Sequence, residues 1–247
     1  MDSWEQILYN IVGGALVAIL TWAFLKLVKK YYKWDFKRVF GDDSAESFFI
    51  VFAKLEHRPC FQEDGKPMDW PYYKPEKAGA YFKVSSVTSS AGMRSVKYLS
   101  GIFGEVMHVA PELISDVEKD NKLDISFCSL GGHNNLKTGD ILSHDENRFF
   151  NLHSNKIVVK KEQGKIFSMQ DGYDFGIIIK IIPKSFPNRV WIAVAGLGEW
   201  GTSGSAWFLS KNWKRLPKNK SFGLIVKTKI GQDESAEIIY NSCDTKR

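Results

Sequence analysis

Residues 190–205 read VWIAVAGLGEWGTSGS, and this stretch is the strongest indication of the fold. The apolar run 190–195 is typical of a buried central strand, and a helical pattern from Thr202 runs to Leu216, where Pro217 ends it. Between strand and helix lies a loop of the form G-x-G-x-x-G. A strand, a glycine-rich loop and a helix in this order indicate an α/β sheet, and the loop can bring backbone N–H groups close to a phosphate.

The composition of this loop leaves two interpretations open. Its three glycines and the Thr202 hydroxyl suit a phosphate contact. The Glu199 carboxylate, however, would lie beside a bound pyrophosphate and weaken its binding unless the carboxylate is paired. The loop comes late in the chain. The next strand ends at Lys227-Thr228-Lys229 and has no acidic residue there that could hydrogen-bond a ribose hydroxyl. The sequence therefore argues against NAD or FAD as a tight cofactor. It leaves a nucleotide-like ligand site or a structural turn, with the candidate ligand contacts Gly196, Gly198, Gly201 and Thr202.

A second glycine loop, Gly131-Gly132-His133-Asn134-Asn135, follows the predicted strand 124–130 and precedes another short helical segment. Ligands of open α/β sheets bind at the carboxyl ends of the strands, so the two loops are expected to face one site. Asn134 and Asn135 either cap the helix or bond a ribose or base edge. The candidate ligand contacts of this loop are Gly131, Gly132, Asn134 and Asn135.

The remaining pattern predicts an α/β domain with a Rossmann-like, mixed and mostly parallel sheet flanked by helices. A hairpin across Glu162-Gln163-Gly164 makes a purely parallel sheet improbable. Residues 58–75, around Trp70, form a long irregular loop. Strands are predicted at 48–55, 80–87, 124–130, 156–161, 165–169, 173–182, 190–195, 221–228 and 236–240, and helices at 92–109, 111–119 and 202–216.

These loops resemble those of a known group of proteins. Ser129-Leu130-Gly131-Gly132 followed by Asn134 or Asn135 resembles the Gly-Gly-Pro-x-x-Asn loops of Rossmann-like nucleotide-binding domains. The resemblance is to nucleoside 2-deoxyribosyltransferase-like and SLOG-type domains of bacterial conflict systems; it covers 124–216, and His133 stands where those loops often have proline. It implies that a membrane-tethered effector senses a nucleotide signal.

The amino-terminal run 7–25, ILYNIVGGALVAILTWAFL, carries no charge and is long enough to cross a bilayer. Six basic residues follow it closely: Lys26, Lys29, Lys30, Lys33, Lys37 and Arg38. The positive-inside rule therefore puts the amino terminus outside and the rest in the cytoplasm. The predicted order is an extracytoplasmic stretch 1–6, a single transmembrane helix 7–28, a basic juxtamembrane segment 29–44 and a cytoplasmic α/β domain 45–247. A cleaved signal peptide or a buried soluble helix are the alternatives.

The bilayer is one expected partner, and a second copy of the chain is another. Gly14 and Ala18 stand four residues apart, a spacing of small residues that lets transmembrane helices approach closely, although glycine is common in such helices. The net charge of +6 is largely explained by the juxtamembrane lysines, so no nucleic-acid partner is expected.

Other chemistry has little support in the sequence. Cys60, Cys128 and Cys243 are far apart and are expected to be reduced thiols. No metal-ligand spacing occurs, and the polar cluster His144, Asp145, Glu146 and His153 is expected to be solvated or capping.

Three functions remain as hypotheses. The first is a membrane-anchored nucleotide-sensing effector, acting in antiviral defence by oligomerisation. The second is an anchored nucleoside or nucleotide glycosyl hydrolase or transferase with Glu199 as its acid or nucleophile. The third is a protein-interaction domain whose glycine loops are turns.

Overall fold

The computed structural model describes residues 3–56, 60–61, 67–68, 72–73, 81–82, 86–117, 123–162 and 164–243. Trp70, and with it much of the loop predicted at 58–75, lies outside these residues. The chain begins with one long helix, α1 (Ser3–Phe40). It is the single helix in the described part of the chain that is long and apolar enough to span a membrane. The side chains described before Lys33 are exposed or partly exposed, so this part of α1 is not buried in the described domain.

Three further α-helices and a larger number of strands follow α1 in the described residues, and several strands follow one another with no helix between them. The other helices are α2 (Ser90–Met107), α3 (Leu136–Ser143) and α4 (Glu199–Asn212). The strands of the main sheet are β1 (Phe49–Phe52), β8 (Glu112–Ser115), β9 (Phe127–Leu130), β13 (Tyr173–Ile181), β14 (Trp191–Gly196), β15 (Phe222–Lys229) and β16 (Gln232–Cys243). A smaller sheet consists of β10 (Phe150–Leu152), β11 (Lys156–Val159) and β12 (Ile166–Ser168). Two-residue strands are β2 (Leu55–Glu56), β3 (Cys60–Phe61), β4 (Pro67–Met68), β5 (Tyr72–Tyr73), β6 (Tyr81–Phe82) and β7 (Ser86–Val87).

The main sheet has seven strands in the order β16-β15-β13-β14-β9-β1-β8. The pairs β8–β1, β1–β9 and β9–β14 are parallel. The pairs β14–β13, β13–β15 and β15–β16 are antiparallel. The mixed α/β sheet is thus confirmed, but its antiparallel half is larger than a mostly parallel sheet implies. In the parallel half, the strand that follows β1 in the main sheet is β8, on one side of β1, and the next is β9, on the other side. The strand order therefore reverses between β1 and β9, as it does at the switch point of a doubly wound sheet.

One predicted helix, 111–119, is wrong. Glu112–Ser115 forms the edge strand β8, in which the Glu112 N–H donates to the Phe48 carbonyl at 3.0 Å. Asp116 N–H donates to the Phe52 carbonyl, also at 3.0 Å. A short apolar segment has no decisive period of its own, so pairing with the open edge of β1 determines its conformation.

The main sheet is covered on both faces, as predicted. Alternating side chains of each central strand enter opposite cores, because successive residues of a strand point to opposite faces. Ile192 and Val194 of β14 pack with α2, α4 and the end of α1. Trp191, Ala193 and Ala195 of β14 pack with α3 and the small sheet.

The carboxyl end of α1 belongs to this core, a feature that the predicted juxtamembrane segment 29–44 did not anticipate. Phe36, Val39 and Phe40 are fully buried. The Phe36 ring lies 4.8 Å from that of Phe103 in α2 and 5.2 Å from that of Trp213 beyond α4, measured between centroids. The apolar helix is therefore joined rigidly to the domain.

Two contacts show at which end of the sheet α1 stops. The helix ends at Phe40, and Gly41, with φ 106°, turns the chain. Asp43 then accepts hydrogen bonds from the Ser126 N–H at 3.2 Å and from Arg189 Nη1 at 2.8 Å. Ser126 precedes β9 and Arg189 precedes β14. The parallel strands therefore run away from the end of α1, and their carboxyl ends form the opposite edge.

Candidate functional site

A cleft of about 520 Å³ opens at the carboxyl ends of the parallel strands. Ala53 follows β1, the loop 131–134 follows β9, and Gly196 ends β14; all of them line the cleft. The start of α2 and the turn between β10 and β11 close the other sides. Two glycine loops that lie far apart in the chain thus face one cavity, as their positions after neighbouring strands predict.

The loop after β9 presents backbone and polar groups to the cleft. Gly131 has φ 112°, a conformation that favours glycine, and Gly132, His133 and Asn134 follow it along the cleft wall. His133 and Asn134 are exposed. This arrangement leaves an imidazole and a carboxamide available to a ligand.

Asn135 lies outside the cleft and has a structural role. Its Oδ1 accepts hydrogen bonds from the N–H groups of Lys137 and Thr138 at the start of α3, at 3.0 and 3.3 Å. Its Nδ2 donates to the carbonyls of Val51 and Leu130, both at 3.0 Å. The side chain is fully buried. Its oxygen caps α3, and its amide nitrogen ties the cap to β1 and β9, so all four contacts are structural.

Gly198 and Gly201 already bind a carboxylate of the protein. Asp174 of β13 accepts from the Gly198 N–H through Oδ1 at 3.1 Å and from the Gly201 N–H through Oδ2 at 2.7 Å. Asp174 is 1% exposed. Burial raises its pKa, and the hydrogen bonds from Gly201, Phe175 and Gly198 act in the opposite direction. At the start of α4, Asp174 therefore takes the position that a phosphate has in nucleotide-binding loops.

The glycines of this loop also permit close packing of α4 on the sheet. A Cβ at Gly201 would lie 2.3 Å from the Phe175 carbonyl oxygen, and one at Gly196 would lie 2.3 Å from the Thr202 nitrogen. Gly196, Gly198 and Thr202 nevertheless line the cleft, whereas Gly201 does not. The loop is a tight structural turn whose outer side forms one wall of the cavity.

Glu199 lines the cleft and is exposed. Its Oε2 accepts a hydrogen bond of 2.8 Å from Ser90 Oγ, which belongs to the first turn of α2. Among the residues described along the cleft, Glu199 is the single carboxylate. A carboxylate held in this way accepts hydrogen bonds from sugar hydroxyls or from amino groups of a base.

A polar network behind Glu199 joins α2, α4 and β16. Arg94 donates to Asp233 Oδ2 through Nε at 3.1 Å and to Ser203 Oγ through Nη2 at 3.1 Å. Asp233, 3% exposed, also accepts from Tyr98 Oη at 2.9 Å. Burial and Asp233 raise the pKa of Tyr98 to about 12. The Arg94 guanidinium lies 4.2 Å from the Trp200 ring centroid, so Trp200 packs on this network.

Several cleft residues were not predicted from the sequence. Ser89 caps α2 by accepting from the Gly92 N–H at 3.0 Å, and the first turn of α2 faces the cavity. His153 and Ser154, in the turn between β10 and β11, face it as well. His144 lies elsewhere, 5.2 Å from the Trp191 ring between centroids, so the predicted polar cluster is divided between two places. The sequence offers one sign of this part of the cleft: Ser89, a serine just before a helical run, is a typical helix N-cap.

Two observations bear on metal binding and on Cys128. No group of three or more His, Cys, Asp or Glu side chains lies close enough there to hold a metal ion. Cys128 is fully buried in β9, and burial raises its pKa far above the ordinary range, so it is no nucleophile.

Comparisons of the chain with protein-family models, with curated proteins and with solved structures give no match.

Proposed function

We propose that this chain is a single-pass membrane-anchored protein whose Rossmann-like domain binds a nucleotide-type ligand and acts as a sensor or signal-binding effector. One observation carries the proposal: two glycine loops, after the neighbouring parallel strands β9 and β14, line the same cleft of about 520 Å³. That volume suits a small ligand, and the site lies beside the switch point of the sheet, where nucleotide ligands of such sheets bind.

The anchor fits this function. In the proposed topology α1 crosses the membrane with its amino terminus outside, and the lysines behind the apolar run hold the domain in the cytoplasm. The cleft lies at the sheet edge opposite the end of α1. Its ligand is therefore a soluble molecule of the cytoplasm rather than a lipid headgroup.

The residues of the cleft suggest how a nucleotide would lie. Because Asp174 occupies the start of α4, phosphate groups bind instead near the loop 131–134, with His133, His153 and the first turn of α2 as partners. Glu199, on the β14 side, accepts hydrogen bonds from ribose hydroxyls or the base. The ligand thus spans the cleft from a site of hydrogen-bond donors to a carboxylate.

The test is thermal stabilisation of the full chain in detergent micelles across NAD, NADP, mononucleotides and cyclic oligonucleotides. A ligand at 100 times its Kd adds about 2.7 kcal/mol to the stability of the folded state. His133→Ala should reduce the melting shift, whereas His108→Ala, a change on the far end of α2, should not. A flat response across the panel would reject the proposal and favour an interaction domain whose glycine loops are turns.

A second candidate is an anchored glycosyl hydrolase or transferase that attacks the glycosidic carbon of a nucleoside or nucleotide. The observation in its favour is the position of Glu199, a carboxylate on the cleft held by Ser90 Oγ at 2.8 Å. Glu199→Gln keeps the shape of the side chain and removes its basicity. Loss of ligand consumption with retained binding would establish the enzyme, while a ligand that wild-type protein never consumes would favour the sensor.

Oligomerisation in the membrane is the proposed output, in the manner of an antiviral effector. A Cβ added at Gly14 would meet nothing within 4 Å, so this face of α1 is open to a second copy. Gly14→Leu should weaken cross-linking between copies in vesicles, and Leu20→Ala on the same helix is the control. Equal cross-linking by both variants would contradict the role of Gly14 and Ala18.

A further inference from the structure

A basic segment of the domain covers the end of α4 and the connection to β15. Residues 211–220 read KNWKRLPKNK and contain no acidic residue. Its exposed cationic side chains are Lys211, Lys214, Arg215 and Lys220, while Lys218 is half-buried. Trp213 and Leu216 are buried in the core and hold the segment on the domain. A rigid stretch with one sign of charge is thus presented on the surface.

This segment lies beside α1 at the point where the helix leaves the domain. Lys214 Nζ is 4.2 Å from the centroid of the Tyr32 ring. The Asn219 N–H donates to the Arg38 carbonyl at 3.2 Å, and Lys218 forms an ion pair with Asp35. The apolar run ends at Leu25, and Tyr32 follows it by only about 10 Å along a helix that rises 1.5 Å per residue. The headgroup layer is about 5–8 Å deep on each side, so Tyr32 and Lys214 lie at its outer edge.

We infer that the segment 211–220 docks on anionic lipid headgroups and, together with the juxtamembrane lysines, fixes the orientation of the domain on the membrane. Attraction between basic side chains and an anionic leaflet falls off within a Debye length, and the position beside α1 brings the segment into that range. The parallel strands begin at the same end of the domain. Docking therefore directs the cleft away from the bilayer.

This inference goes beyond ligand binding: it depends on α1 crossing the bilayer and is independent of what the cleft holds. It can be tested on the full chain by amide hydrogen exchange. The chain is placed in nanodiscs of phosphatidylcholine alone or with about 30% phosphatidylglycerol, an anionic lipid. The segment 211–220 should exchange more slowly in the anionic discs, and the protection should disappear at about 1 M salt, where the Debye length is about 3 Å.

A charge-reversal variant and a matched control complete the test. Lys211→Glu with Lys220→Glu should weaken docking at least about 25-fold, since the loss of each basic residue near the surface accounts for about a fivefold effect and each new carboxylate adds repulsion. Lys97→Glu with Lys229→Glu changes the net charge equally but alters α2 and the distal end of β15, so protection should persist. Equal exchange in both kinds of nanodisc, or equal loss in both variants, would overturn the inference. If the Lys211→Glu and Lys220→Glu variant fails to fold, the salt dependence of amide exchange in segment 211–220 of the wild-type chain still tests the inference.

Discussion

Asp174 Oδ2 accepts a hydrogen bond of 2.7 Å from the backbone N–H of Gly201, and this contact makes a side chain of β13 the anion at the start of α4. In a dinucleotide-binding loop a phosphate would take that place. The G-x-G-x-x-G stretch of this chain is satisfied from within the protein. In the function proposed above, the phosphates of a ligand therefore bind at the other loop, near His133.

Asp174→Ala should destabilise the domain by about 3 kcal/mol, because it leaves the buried N–H groups of Gly198 and Gly201 without their acceptor. Urea unfolding of the full chain in detergent, followed by circular dichroism, measures the change. Asp171→Ala is the control, since Asp171 is exposed on the preceding turn. Similar midpoints for the two variants would show that the Asp174 carboxylate does not hold α4 in place.

Gly201→Ala should lower stability by about 2 kcal/mol, since its Cβ would lie 2.3 Å from the Phe175 carbonyl oxygen and would force α4 away from β13. Gly104→Ala offers a matched comparison in α2, where an added Cβ meets nothing within 4 Å. That change should raise stability by about 0.5–1 kcal/mol, because alanine is the better helix former. Thermal melts of both variants show whether each change in stability has the expected sign. A Gly201→Ala variant more stable than the wild type would be inconsistent with the close packing of α4 on β13.

Phe36→Ala should destabilise the domain by about 3–5 kcal/mol, since it removes a fully buried ring that packs on Phe103 and Trp213. Phe24→Ala is the control on the same helix, because Phe24 is 64% exposed and projects from the domain. Hydrogen exchange of α2 in detergent reports the loss. If Phe36→Ala left α2 as protected as Phe24→Ala does, α1 would not be part of the core.

Lys180 makes stability depend on pH. Burial lowers the pKa of Lys180 from 10.5 to about 7 in the folded protein. Between these values the unfolded chain binds a proton that the folded chain lacks, so stability rises with pH across that window. Below about pH 7 both states are protonated, and the cost of the buried charge is present in full.

Lys180→Met should remove this dependence while retaining the length of the side chain. From pH 7 to pH 9 the wild-type protein should gain about 2–3 kcal/mol relative to the variant. Urea midpoints at the two pH values give the difference. The Arg38 carbonyl, which accepts from Lys180 Nζ at 2.7 Å, keeps its bond from the Asn219 N–H in the variant. Parallel pH profiles for both proteins would contradict a neutral Lys180.

Much of the architecture could be predicted from local pattern. The buried strands β9, β13, β14 and β15 are short, continuous apolar runs bounded by turn residues, and α2 has apolar residues at helical spacing. The meeting of the two glycine loops also followed from sequence, because each loop comes directly after a buried strand. The helix over 111–119 was wrong because that segment is short and its strand partner, β1, is distant in the chain.

Local sequence pattern was therefore enough to predict most of the elements, the apolar helix and the meeting of the two loops at one sheet edge. Tertiary structure alone decided that Asp174 occupies the start of α4, that His153 and the first turn of α2 complete the cleft, and that Phe36 enters the core. The physical reason is the range of the interactions. Periodicity and turn chemistry act over a few residues, whereas a buried hydrogen bond or a ring contact depends on which distant elements the packing of the whole domain brings together.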